Sequence, residues 1–144
     1  MEITGIDLVE IQLALASGAT LGDVRLGQPP APPTGFSLQT RITTETLGKD
    51  SQFMPTGGKL TTYNPPTGPG VRIDGYVYPG YSTNPKFDSL LAKLIVHEKS
   101  GDLVRLFAKA ERALSEFHIG ALDTNISFLR SLLRLPVIAD WAHP

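Results

Sequence analysis

Residues 59–97 read KLTTYNPPTGPGVRIDGYVYPGYSTNPKFDSLLAKLIVH, and the proline and glycine corners within them leave few ways to fold the chain. Proline fixes φ and lacks an N–H, so no helix and no central strand passes through 64–70 or 79–80. Between the corners stand short β-type runs at 60–63, 71–73 and 76–78, with Gly75 marking a bend or bulge. The pattern predicts antiparallel strands joined by tight turns. The segment FDSLLAKLIVH at 87–97 has an apolar density that suits a helix or a buried strand. Its β-branched end and the turn chemistry before it assign 90–97 to a strand.

The flanks read as cover for such a sheet. Residues 4–18 form an amphipathic helix, with Ile6, Val9, Leu13 and Ala16 on one stripe, and Glu10 and Gln12 facing water. Thr4 with Asp7 is a shortened capping box, and Gly18 is the stop. A broad apolar face so near the start suggests a piece of something larger. Pro29, Pro30, Pro32 and Pro33 make 18–33 an extended connector. Residues 35–45 alternate: Phe36, Leu38, Thr40 and Ile42 face one way, and Ser37, Gln39, Arg41 and Thr43 the other. A polar loop spans 47–58. Residues 102–117 form a helix whose apolar face is Leu103, Leu106, Phe107, Ala110, Ala113, Leu114 and Phe117, opposite Arg105, Lys109, Arg112 and Glu116. After a short link at 118–120, Thr124 and Asn125 cap a second helix, 126–135, stopped by Pro136. The tail with Trp141 is expected to pack loosely or to belong to whatever follows in a parent chain. The expectation is an α+β fold: a mainly antiparallel sheet flanked by an N-terminal helix and two C-terminal helices.

With 144 residues, 41% apolar and 19% charged, the chain suits a single globular domain. Its net charge of −1 gives no general pull toward nucleic acid or anionic lipid. The absence of Cys excludes disulfides and thiolate metal sites and is compatible with a reducing cytoplasm. No apolar run approaches the ~20 residues of a membrane span. The sequence shows no Gly-rich phosphate loop, no His pair at metal spacing and no nucleophilic Ser elbow. By motif content it is no self-sufficient enzyme.

From the residues alone, Arg41 is either an exposed strand residue in an ion pair or the charge on the floor of a polar site. Lys93 lies on an apolar strand and needs a partner, so a structural ion pair is expected. His97 and His118 read as ordinary surface histidines at element ends. Tyr76, Tyr78 and Tyr81 read as sheet packing rather than a ring-stacking site.

In order along the chain stand ITGIDLV at 3–9, the strand carrying Arg41, PTGGKL at 55–60, GPGVRID at 68–74, YPGY at 78–81, FDSLLAKLIVH at 87–97, RALSEFHIG at 112–120 and TNI at 124–126. Together they closely resemble the C-terminal domain of biotin carboxylases, the ATP-dependent component of acetyl-CoA, propionyl-CoA and pyruvate carboxylases. The resemblance covers residues 3–133 and identifies 1–144 as that domain: helix and connector at 1–34, sheet at 35–99, helices and tail at 100–144. It implies packing against an ATP-grasp domain of the same parent chain, which would bind ATP, Mg²⁺ and bicarbonate. It also implies biotin delivered on a carrier domain, and a cytoplasmic ligase. The domain itself would hold no metal.

The resemblance carries one principal catalytic group onto this chain, Arg41. It would face the biotin ureido oxygen and stabilise the enolate-like charge formed when N1 loses its proton. A guanidinium stays ionised and offers a planar fork of donors. Asp88 would orient Arg41 or cap its own turn, and Gln39 and Glu45 would support the site. Arg72 and Asp74 would serve the fold or a homodimer contact, as the family uses the 70–72 region. The chain departs from the family at Ile42-Thr43-Thr44-Glu45-Thr46, where many members have Ile-Asn-Ala-Glu-Asp, and at Gln39, where many have Glu. Such departures suit a long single-chain carboxylase. The chain alone is expected to be inactive. The alternative is a non-catalytic module that dimerises or docks a carrier domain.

Overall fold

The computed structural model describes residues 1–29, 31–48, 50 and 52–141, without the side chains of 139–141. Pro30, Lys49, Ser51 and the packing of Trp141 and the tail therefore lie outside the described residues. The elements run α1 (Leu8–Ala16), β1 (Phe36–Thr43), β2 (Glu45–Leu47), β3 (Phe53–Pro55), β4 (Thr62–Asn64), β5 (Val71–Gly75), β6 (Leu90–Glu98), α2 (Leu103–Glu116), β7 (His118–Gly120), α3 (Ile126–Leu133) and α4 (Pro136–Trp141). All strand pairing is antiparallel, and helices come from both ends of the chain, which is the expected α+β class.

The main sheet has the order β1-β6-β5. Register sets rows of side chains across it. Leu38, Val96 and Val71 align, as do Thr40, Leu94 and Ile73, on the face turned to α2. Gln39, Ile95 and Arg72 align on the opposite face, as do Arg41, Lys93 and Asp74. The alternation expected for 35–45 holds, except that Phe36 is exposed and Thr43 is buried. The core joins Ile42, Ala92, Leu94 and Val96 to Leu106, Ala110, Ala113, Leu114 and Phe117 of the α2 face. Asp102 caps α2, accepting from the Arg105 N–H at 3.0 Å. Lys109 ties the helix to β6 through Glu98 at 2.8 Å and the His97 carbonyl at 2.9 Å. Glu111 ties α2 to α3 through Arg130 at 2.9 Å and through Arg134.

The register between β1 and β6 slips by one residue after Ile42, leaving Leu91 as the extra residue of a bulge. Leu91 is buried in a second, smaller cluster with Leu60 and Val77. One strand thus serves two apolar cores. The corners hold β5 at both ends. Gly70 has φ +71°, and a Cβ there would lie 2.5 Å from the His97 carbonyl oxygen. At Gly75 a Cβ would lie 2.6 Å from the Tyr63 hydroxyl oxygen and 3.1 Å from the Ala92 Cβ. Gly75 ends β5 in regular register, so the bulge lies on β6 and not at the expected glycine.

Several local expectations are corrected. The polar loop at 47–58 contains the β2–β3 hairpin, whose Phe53 meets Phe128 edge-on at 5.3 Å. The strand expected at 60–63 forms at Thr62–Asn64 and pairs with His118–Gly120, which is a strand rather than a link. Residues 76–78 form no strand. Tyr76, Tyr78 and Tyr81 instead cluster edge-to-face at 5.5 and 5.8 Å. Pro136 opens α4 instead of simply ending α3, since a first-turn proline forfeits no helical hydrogen bond.

Helix α1 is shorter than 4–18, and its cap is Asp7, which accepts from the Val9 and Glu10 N–H groups at 2.9 and 3.2 Å. None of its residues is buried; Leu8, Val9 and Leu13 are 66%, 64% and 66% exposed. The apolar stripe is present, and Ile6 is half-buried where it lines a groove with Ile11, Ala14, Val24 and Leu26, while Val9 and Leu13 stay exposed. No helix of the described residues is long and apolar enough to cross a membrane.

Candidate functional site

Arg41 stands on β1 because alternation sends Ile42 into the core and Arg41 to the open face. Its register neighbour on β6 is Lys93, a like charge directly opposite, which disfavours the pair. Two carboxylates offset this. Asp88 lies 3.4 Å from the Arg41 guanidinium, and Asp74 is the register neighbour of Lys93 on its far side. The Arg41 and Asp88 side chains are 51% and 69% exposed, so their attraction is screened and weak. It orients the guanidinium without using up its donors. Among the described residues, Asp88 is its sole hydrogen-bond partner.

Asp88 makes contacts on both sides. One oxygen accepts from Arg41, and the other accepts from the Leu90 N–H at 2.9 Å, capping its own turn. Glu45 does not touch Arg41. It accepts from the Ser89 hydroxyl at 2.6 Å and from the Thr43 hydroxyl at 3.2 Å. Thr44 adds its N–H and hydroxyl to the Ser89 carbonyl at 2.9 and 3.3 Å. The turn that carries Asp88 is therefore pinned to the end of the strand that carries Arg41. Pairs about 45 residues apart leave no periodic signal, which is why sequence reasoning missed Ser89 and Thr44.

Gln39 lies two residues before Arg41 on the same face, in an open groove of about 340 Å³ lined also by Glu2, Ser37, Arg72, Asp74, Lys93 and Ile95. Arg72 grips Asp74 with two hydrogen bonds, 2.8 and 2.7 Å, and reaches Glu2 at 2.9 Å. The Arg72 guanidinium holds the Asp74 carboxyl below the ordinary carboxylate range, and Lys93 adds to the effect. Glu2 was not foreseen as part of this cluster. Among the described residues Lys93 has no carboxylate within 4.0 Å, contrary to the expected ion pair. Lys93 is half-buried on the open face of the sheet. His97 bonds the Thr34 carbonyl at 3.1 Å, and His118 is exposed. Among the described residues no three His, Asp or Glu side chains are grouped to hold a metal.

An open sheet face presenting a tethered but unsaturated guanidinium is suited to receive an oxygen that gains negative charge. The comparisons name the class. Residues 39–142 match the family described as the biotin carboxylase C-terminal domain, and the chain belongs to it. It is 43% identical over 140 residues to the pyruvate carboxylase of Aspergillus niger, covering 96% of this chain and 11% of that protein. Its fold superposes on a single-chain, multi-domain long-chain acyl-CoA carboxylase with a TM-score of 0.88 and 42% identity, covering 94% of this chain and 15% of that one. A third match is the biotin carboxylase domain dimer of Hydrogenobacter thermophilus 2-oxoglutarate carboxylase, solved with MgADP, ADP and bicarbonate. It has a TM-score of 0.86 and 31% identity, covering 96% of this chain and 29% of that one. The chain thus spans under a third of the length of each of these relatives.

Proposed function

We propose that this chain is the part of a biotin-dependent carboxylase that lines the biotin side of its carboxylation site, with Arg41 as the catalytic residue. The carrying observation is the half-exposed Arg41 guanidinium, held by Asp88 with its other donors open. Biotin on a carrier domain supplies the nitrogen that is carboxylated, with bicarbonate and ATP as the other reactants. Arg41 donates to the ureido oxygen and lowers the cost of the charge that builds there as the N1 proton leaves. Losing one such donor costs about 10²–10³ in rate. Asp88 sets the guanidinium plane, while Glu45 holds the Asp88 turn through Ser89. Gln39, on the same face, borders the approach.

The same reading assigns ATP, Mg²⁺ and bicarbonate to an ATP-grasp domain of the parent chain. Within the present chain the division is 1–34 for the helix and connector, 35–99 for the sheet and 100–144 for the helices and tail. Arg72 and Asp74 serve a homodimer surface or the fold itself; the solved dimer of a relative supports the first and the partly exposed Arg72–Asp74–Glu2 cluster is compatible with both. Lys93 supports the electrostatics of the sheet face. The parent enzyme works in the cytoplasm.

Titration of biotin and a biotinylated carrier domain into the isotope-labelled chain tests the reading. Amide and guanidinium shifts centred on Arg41 and Asp88 support it. Shifts confined to 71–81 favour a docking or dimerisation module without chemistry. The 144-residue chain by itself is expected to cleave no ATP with bicarbonate and biotin, and measurable biotin-dependent ATP cleavage would contradict the division of labour.

A further inference from the structure

Asn125 occupies the N-cap position of α3, yet its side chain caps nothing there. The carboxamide is turned to β1 instead. Its Nδ2 donates to the Arg41 carbonyl at 2.9 Å, and its Oδ1 accepts from the Thr43 N–H at 3.0 Å. The Asn125 N–H donates to the Thr43 carbonyl at 3.2 Å. Three bonds therefore straddle Ile42, on the edge of β1 away from β6, where the sheet provides no further strand. One residue does the pairing work of a short strand.

The location matters because the ladder on the other edge is irregular at this point. Register slips between Ile42 and Thr43, and bulged segments are bent and less tightly paired. Among the described residues, the only hydrogen bond of the Arg41 side chain is the long contact to exposed Asp88. Where the guanidinium sits is thus decided mainly by the backbone that bears it, and Asn125 bonds that backbone directly. We infer that Asn125 is a positioning residue for Arg41, acting by clamping the strand at the bulge rather than by touching any reactant. The inference rests on the reading of Arg41 given above.

The test is a double-mutant cycle in the intact carboxylase that carries this domain. Biotin-dependent turnover is measured for Arg41→Ala, Asn125→Ala and the double variant, with biotin-independent, bicarbonate-dependent ATP cleavage as the control. Displacing a reacting group by about 1 Å costs up to about 10²-fold, so Asn125→Ala is expected to lower biotin-dependent kcat by about 10- to 100-fold. Control ATP cleavage should stay within about twofold. The double variant should be no slower than Arg41→Ala alone, because a positioning residue has nothing to position once its target is gone.

Where Asn125→Ala is too unstable to assay, Asn125→Asp takes its place in the same cycle. It keeps the acceptor for the Thr43 N–H but loses the donor to the Arg41 carbonyl. Losses that multiply in the double variant, or equal losses in both ATP-cleaving activities, overturn the inference and leave Arg41 standing. Unimpaired turnover in Arg41→Ala removes the reading of Arg41 and the role of Asn125 with it.

Discussion

Tyr63 offers a sharp quantitative test of how the two cores meet. Its hydroxyl oxygen is closed off from water and has no hydrogen-bond partner among the described residues. Burial pushes its pKa up. The ring is well used, meeting Phe117 edge-on at 5.6 Å, but the oxygen is not. An unpaired buried polar group costs about 1–3 kcal/mol, so Tyr63→Phe should raise stability by about 1 kcal/mol. The same oxygen is what a Cβ at Gly75 would strike at 2.6 Å. Overpacking of this kind costs about 1–3 kcal/mol, offset by about 0.5–1 kcal/mol from replacing a flexible glycine. Gly75→Ala should therefore lose about 1 kcal/mol in the native sequence. With Phe at 63 the hardest contact is gone, leaving the Ala92 Cβ at 3.1 Å and the Leu91 carbonyl oxygen at 3.3 Å, and the loss should fall to a few tenths. The coupling between the sites is expected to be about 1 kcal/mol. Urea unfolding of the four proteins, followed by circular dichroism, gives each stability by linear extrapolation. Effects that add to within about 0.3 kcal/mol would refute the clash, and a Tyr63→Phe protein destabilised by over about 1 kcal/mol would mean the hydroxyl has a partner.

Leu94 is fully buried at the centre of the main sheet, so Leu94→Ala should cost about 3–5 kcal/mol; a loss under about 1 kcal/mol in the same assay would deny that it fills the core. Asp102→Ala removes the cap of α2 and should cost about 1 kcal/mol, and a midpoint indistinguishable from the parent would disprove the cap. Lys109, followed by the Ser100 hydrogen bonds, holds the Glu98 carboxyl down at about 2 against an ordinary 4.5. A depressed carboxylate contributes stability that is full above its unfolded value and lost as pH falls through the folded one. The stability advantage of the native chain over Glu98→Gln should accordingly be complete above pH 4.5 and vanish as pH falls toward 2. An advantage that stays constant across that window counts against the bridge.

The parts legible in the sequence are those where one side chain pattern has one use. Leu103–Glu116 is long enough for period and composition to agree, and it buries the face its pattern marks, whereas Leu90–Glu98 was legible from its β-branched end and the turn before it and is buried on both faces. Arg41 was legible as an exposed strand residue because Thr40 and Ile42 flank it on the core side. The β2–β3 hairpin was not legible, since Glu45–Leu47 and Phe53–Pro55 are half-exposed or exposed and show no alternation. The stripe on α1 was read correctly as apolar, but a stripe states that something covers it without saying what. Asn125 looked like a cap from its neighbours Thr124 and Ile126. Its true partners lie 82 and 84 positions away, at a distance no local rule reaches.

The extra residue at Leu91 has an effect beyond linking two cores. It sets the phase of everything just before it in the chain. Were the ladder to run on without the bulge, Leu91 would stand opposite Thr43 in place of Leu90, and the preceding turn would advance by one step, setting Ser89 at the place of Asp88. A frame of one amino acid decides whether the guanidinium of Arg41 has a carboxylate or a hydroxyl for company.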